Sequence, residues 1–260
     1  MLVTMLTCSE NARRRALALS AALAVLLALC AGAVLAGAGA DPATAARAQL
    51  IGKTKKTPHP DCPFQEKGNR VVRDCQAVGN LTGFQANAGG SKSLFKAPRD
   101  GKLVAWSVDL SKPKDSEQKF FEKTYKDKKL GGKPAARIAV LRRSQGKKYK
   151  LEGQGPVAEL SEHFGTKPIF TLAKPLRLKK GDIIALTIPT YVPNFATGLA
   201  GNNSWRASRA GNRCDVSTDT AKGRTNLKKS RPQTDEGSTR VYGCAYRDAR
   251  LLYWGYYTAG

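Results

Sequence analysis

The segment "KPIFTLAKPLRLKKGDIIALTIPTYVP", residues 167–193, sets two apolar runs on either side of Lys179-Lys180-Gly181-Asp182. Ile183 and Ile184 enter an apolar, strand-like run, so the segment reads as strand, turn, strand rather than helix. Gly181 supplies a positive φ and Asp182 closes the turn. A phosphate-binding loop would need Gly-x-x-x-x-Gly-Lys-Ser/Thr and a helix whose N-terminal amides face the anion. The spacing fails here, and strand-like residues follow where the helix should start.

The same punctuation recurs along the chain. "SLFKAPRDGKLVAWSVDL" carries Asp100-Gly101 between two candidate strands, and Val104, Trp106, Val108 and Leu110 recur at a spacing of two, which puts them on one sheet face. "AARIAVLRR" reads as a strand leaving the core, and "STRVYGCAYRDARLLYWGYYT" as two strands about an Arg247-Asp248 turn. In "LLYWGYY", Leu251, Tyr253, Gly255 and Tyr257 share one face, with Leu252, Trp254 and Tyr256 on the other. No convincing amphipathic helix is present; "SEQKFFEKTYK" offers a turn or two, or a long loop. The expected fold is all-β: a two-layer antiparallel β-sandwich, jelly-roll-like or Ig-like in connectivity, forming a single domain over residues 61–260.

"FKAPRDGKLVAWSV", "LRLKKGDIIALTIPTYVP" and "WRASR" followed by a cysteine resemble secreted, jelly-roll-like β-sandwich proteins of high-GC Gram-positive bacteria, over roughly residues 80–258. The resemblance implies a fold and an extracellular setting, without a reaction.

Export is also expected from the N-terminus, where Arg13-Arg14-Arg15 precedes a long Ala/Leu/Val-rich run that ends in Ala38-Gly39-Ala40 and Asp41-Pro42. A charged start, an apolar run and small residues at the exit make residues 1–40 a secretory signal peptide. Left uncleaved, the run is long enough to be a membrane anchor, the one segment by which this chain would insert in a membrane. Residues 41–60, Ala-rich and then "GKTKKTPHP", are expected as a flexible basic lead-in.

Charge narrows the choice of partner. The chain holds 44 Lys+Arg against 20 Asp+Glu, and without residues 1–40 a formal +22 remains, from 41 basic and 19 acidic groups. Residues 112–150 alone hold 14 basic and 4 acidic side chains. Outside a cell such a protein is drawn to polyanions: cell-wall polymers, acidic polysaccharides, anionic lipid head groups, or free nucleic acid bound non-specifically at low salt.

After the signal four cysteines remain, an even number that reads as disulfides in an exported chain. The expected pairs are Cys62–Cys75, around a small hairpin, and Cys214–Cys244. No Cys-x-x-Cys occurs and the chain holds only His59 and His163, so no metal or cofactor is expected.

Catalytic patterns are scarce. No Gly-x-Ser-x-Gly is present, "AELSEHF" is one His short of an inverted zinc-protease pattern, and the acidic residues are scattered. A lyase acting on uronates needs a cation beside the carboxylate and a Tyr or His as base; Arg137, Arg142, Arg206, Arg209, Tyr191 and Tyr246 are the candidates. The expectation with most support is a non-catalytic module for cell-wall or other anionic polysaccharide. Its contacts would be Trp205 in "GNNSWRASR", with Arg206 and Arg209 beside it, and the Trp254/Tyr256 face of the last strand. A structural envelope protein whose charge serves only solubility is the remaining expectation.

Overall fold

The computed structural model describes residues 48–61 and 75–260. The expected signal, and the expected hairpin with Cys62, lie outside the described residues.

Two antiparallel sheets carry the fold. The smaller runs β1 (Gln49–Ile51), β14 (Tyr253–Ala259), β3 (Gly101–Val108) and β7 (Ile169–Leu178). The larger runs β11 (Thr239–Val241), β5 (Lys148–Gln154), β4 (Ala135–Arg143), β8 (Ile183–Val192), β2 (Val78–Asn87), β10 (Ser204–Ala207) and β12 (Cys244–Arg247), with β6 (Ala158–Glu159) beside β4. A short pair, β9 (Phe195–Ala196) with β13 (Arg250–Leu251), stands apart. The expected all-β, sandwich-like architecture is therefore present.

The inner faces share one apolar cluster. Leu103, Trp106 and Val108 of β3 and Tyr253 and Tyr257 of β14 are buried with Leu81, Ile184, Leu186 and Ile188 of the larger sheet. Each such side chain contributes about 1.5–3 kcal/mol by leaving water. Tyr253 Oη donates to the Ile184 carbonyl at 2.9 Å, tying the layers together. A Cβ on Gly255 would lie 2.5 Å from Leu103 Cδ1 and 3.2 Å from Ile184 Cδ1, so a side chain there would have to push Leu103 out of its place in the core.

The expected alternation of β14 holds, with Tyr253 and Tyr257 inward and Trp254 and Tyr256 on the other face. The expected row on β3 is corrected at one place. Register shifts leave Val104 unpaired against both neighbours, and Leu103 takes its place facing the core.

Lys179–Asp182 is a turn, with Gly181 at φ +86° and the Asp182 amide donating to the Lys179 carbonyl at 2.9 Å. It joins β7 to β8, which belong to different sheets, so it is a corner between layers rather than a hairpin. The Lys179 amide donates to Asp182 Oδ2 and the Lys180 amide to Asp100 Oδ1, which leaves neither for a phosphate.

Two helices correct the helix-free expectation. α1 (Asp115–Thr124) occupies the "SEQKFFEKTYK" segment; Glu117 Oε2 accepts the Lys114 amide at 2.7 Å and Phe121 is its buried anchor. α2 (Ala221–Lys229) starts where Thr220 Oγ1 accepts the Gly223 amide at 2.9 Å, and it buries Leu227 and Asn226. Its periodicity is poor because tertiary packing, not a broad apolar stripe, holds it.

Two further expectations change. The lead-in is not free along its length: β1 pairs with β14, Ile51 is buried, and Arg250 Nη1 donates to Thr54 Oγ1 at 2.9 Å. Of the two expected disulfides, Cys214–Cys244 is formed and is the one seen among the described residues. Cys62, expected to pair with Cys75, lies outside them. No helix among the described residues is long and apolar enough to cross a membrane.

Candidate functional site

α1, the loop that follows it and α2 enclose a cleft of about 970 Å³. Lys123, Lys126, Lys128 and Lys129 line one wall and Arg224, Lys228 and Arg231 the other. The first four come from the basic stretch 112–150; the other three sit far along the chain, and only the fold brings the groups together. Arg224 and Lys228 share one face of α2, being four residues apart.

These charges are uncompensated. None of the seven takes part in an ion pair among the described residues. The single acidic lining residue, Asp127, uses Oδ1 to accept the amides of Lys129 and Leu130, at 2.8 and 3.1 Å. The arginines are steadied by carbonyls instead: Arg224 Nη1 donates to Thr218 at 2.7 Å, and Arg231 Nη1 to Lys228 and Ser230 at 2.7 and 2.6 Å. A concave wall of one sign concentrates anions beside it. Pro189, Pro232, Leu227 and Phe120 supply its apolar surface.

Phe120, 49% exposed, also lines a second cavity of about 670 Å³. This one is aromatic, with Phe121, Tyr125, Phe195, Trp205 and Tyr246 around Arg209, Glu117, Ser217 and Asp219. Phe120 and Thr218 border both cavities, which places the basic cleft and the aromatic pocket side by side.

Of the five expected contact residues, two meet here. Trp205 is 2% exposed, stacks on Tyr246 at 4.5 Å with a 21° interplanar angle, and meets Phe195 edge-on at 5.7 Å. It is part of the core that walls the pocket, not a freely exposed stacking platform. Polar neighbours in "GNNSWRASR" suggested exposure, but alternation along β10 turns Trp205 inward. Its Nε1 is buried without a hydrogen-bond partner among the described residues. Arg209, 6% exposed, donates Nε to Ser230 Oγ at 2.6 Å, Nη1 to Tyr246 Oη at 2.9 Å and Nη2 to the Gly79 carbonyl at 3.2 Å. It is a buried positive charge held by neutral groups.

The other three lie elsewhere. Arg206 alternates to the opposite face of β10, where Nη1 donates to the Tyr242 carbonyl at 3.1 Å. Trp254 and Tyr256 are on the smaller sheet; Trp254 is buried, with Lys53 Nζ 5.2 Å above its ring, so it is not an open platform.

The lyase candidates also scatter. Arg142 is bound to Asp182 and Glu152, and Arg137 lies on β4. Among the described residues, Arg209 and Tyr246 are the pair of candidates joined by a hydrogen bond. Burial pushes the Tyr191 phenol up, as it does that of Tyr125 in the pocket wall, the wrong direction for a base. "AELSEHF" forms β6 and a short 3-10 turn, Ser161–His163, and Glu159 pairs with Lys133 at 3.2 Å. Among the described residues no three His, Cys, Asp or Glu side chains gather as a metal site.

The signal for Phe120 was available in the sequence: Phe120-Phe121 in a helical stretch cannot both face inward. No family model matches the chain, and no match was found among curated proteins or solved structures.

Proposed function

We propose that this chain is an exported, non-catalytic binding module for an anionic polysaccharide of the cell wall or of an exopolysaccharide, built on a jelly-roll-like sandwich. One observation carries this: seven cations without carboxylate partners among the described residues line a cleft that shares an exposed aromatic ring with an aromatic pocket. The cations supply long-range attraction, which salt screens over about 8–10 Å. Phe120 supplies a flat apolar face for a sugar ring, a contact that salt does not screen. Such a division makes binding strong at low salt and leaves a residue of specificity at high salt. Bare electrostatic attraction would also hold nucleic acid in dilute buffer, and that binding would vanish with salt.

The test is retention on purified cell walls, intact and stripped of anionic polymers, at low and high salt. The protein is compared with a Lys126/Lys128/Lys129/Lys228→Gln variant and with Phe120→Ala. Retention that needs the anionic polymer, falls in the lysine variant and loses its salt-resistant part in Phe120→Ala is the expected result. Equal retention on any polyanion, abolished by salt and indifferent to these substitutions, would make the charge generic and remove the proposal. Release of unsaturated uronate product, seen as ultraviolet absorbance, would replace it with a lyase.

A further inference from the structure

Arg250, on β13, is 3% exposed. Among the described residues it takes part in no ion pair. Of its three nitrogens only Nη1 has a hydrogen-bond partner among the described residues, Thr54 Oγ1 at 2.9 Å, and Nε is buried with none. Burial lowers its pKa and no neighbouring charge offsets that. A guanidinium removed from water without a carboxylate is unfavourable, and folded proteins keep buried charges paired. Arg142 shows the usual solution in the same molecule, with Asp182 and Glu152 both on it.

Arg250 borders a cavity of about 320 Å³ whose lining contains no acidic residue. Lys56 and Thr57 form one side, from the segment expected to be a flexible lead-in; Leu199 and Asn203 form another. The walls are braced. Thr54 Oγ1 donates to the Lys56 carbonyl at 2.9 Å, and Asn203 Oδ1 accepts the Gly89 amide at 3.0 Å while its Nδ2 donates to Ala200 at 3.1 Å.

We propose that Arg250 and Lys56 form an oxyanion subsite, separate from the basic cleft, that takes one carboxylate, phosphate or sulfate group. The guanidinium nitrogens not taken by Thr54 are donors available to the oxygens of such a group, and Lys56 adds a second positive charge to the same cavity lining. The group is carried either by a free inorganic ion or by a sugar acid, and the chemistry of the contact is the same.

The experiment follows the Arg250 Nε–H signal by two-dimensional nuclear magnetic resonance during titration with inorganic phosphate and, separately, with glucuronate, at constant ionic strength. Triple-resonance assignment and loss of the signal in Arg250→Lys identify it. A saturable shift, with affinity about tenfold weaker in Lys56→Gln and unchanged in the four-lysine cleft variant, is expected. Saturation by phosphate alone assigns the site to a free ion, and saturation by glucuronate alone to a sugar acid. A shift that never saturates with either probe, or one that Lys56→Gln leaves unaltered, overturns the subsite. Lys56 is exposed, so this variant keeps the test decisive even if Arg250→Lys does not fold. The cleft variant separates failure here from failure of wall binding.

Discussion

The corner at Lys179–Asp182 and the cleft between the two helices are both rich in lysine and arginine, yet their charges do different work. At the corner, Asp182 is 1% exposed and accepts Arg142 Nε and Nη2, each at 2.8 Å, while its Oδ2 also accepts the Lys179 amide. Glu152 adds a second carboxylate to Arg142 and also meets Lys150. In the cleft one oxygen of the single carboxylate accepts two backbone amides, and among the described residues the cleft cations form no ion pair, Arg224 and Arg231 donating to carbonyls instead. A charge whose partner is internal holds the fold; a charge without one is left to attract something from outside. The same division separates the aromatic residues, since Trp205 has Tyr246 and Phe195 against it whereas Phe120 keeps half its surface in water.

Substitutions can break this contrast from either side. The largest expected effect is that of Trp205→Ala, about 3–5 kcal/mol of stability by chemical denaturation, because it empties a core position. A loss below about 1 kcal/mol, with binding abolished, would return Trp205 to the role of exposed ligand contact. Next is Asp182→Ala, at about 2–4 kcal/mol, the lower end reflecting an Arg142 side chain that is 36% exposed; retention on cell walls is expected to stay unchanged.

On the other side of the contrast, the four-lysine cleft variant is expected to change stability by less than about 0.5 kcal/mol while weakening polyanion binding roughly tenfold and flattening its salt dependence. A stability loss comparable to that of Asp182→Ala would show that the cleft charges are structural after all. Phe120→Ala should weaken salt-resistant binding by about 1–3 kcal/mol, the range for stacking on one aromatic ring, read from wall retention at high salt. The smallest effect is assigned to Lys180→Ala, within about 0.5 kcal/mol in denaturation and none in binding, since only its backbone amide is used at the corner.

Much of the sheet framework was legible before any coordinates. The alternation in "LLYWGYY" places Tyr253 and Tyr257 inward, and Gly181 marks its turn. Both signals are local: a period of two is a property of one strand, and a positive φ favours one residue type. The bulge at Val104 was not legible, because register is set by the partner strands. α2 was missed because "AKGRTNLKK" carries a glycine and almost no apolar residue; Thr220 and the packing of Leu227 hold it. Four of the seven cleft cations stand out in the stretch 112–150, but nothing in the chain ties them to Arg224, Lys228 and Arg231.

The sequence by itself therefore determined the all-β character, the Gly181 turn, the excess of positive charge and the expectation of export, while it placed a strand before Asp100 that is not formed and read as two strands a C-terminal segment that holds four. Tertiary structure alone decided which arginine meets a carboxylate, which tryptophan is walled in and which phenylalanine faces water. Coulomb attraction and burial depend on distance through space, and residues that are remote in the chain become neighbours only when the two sheets close on one another.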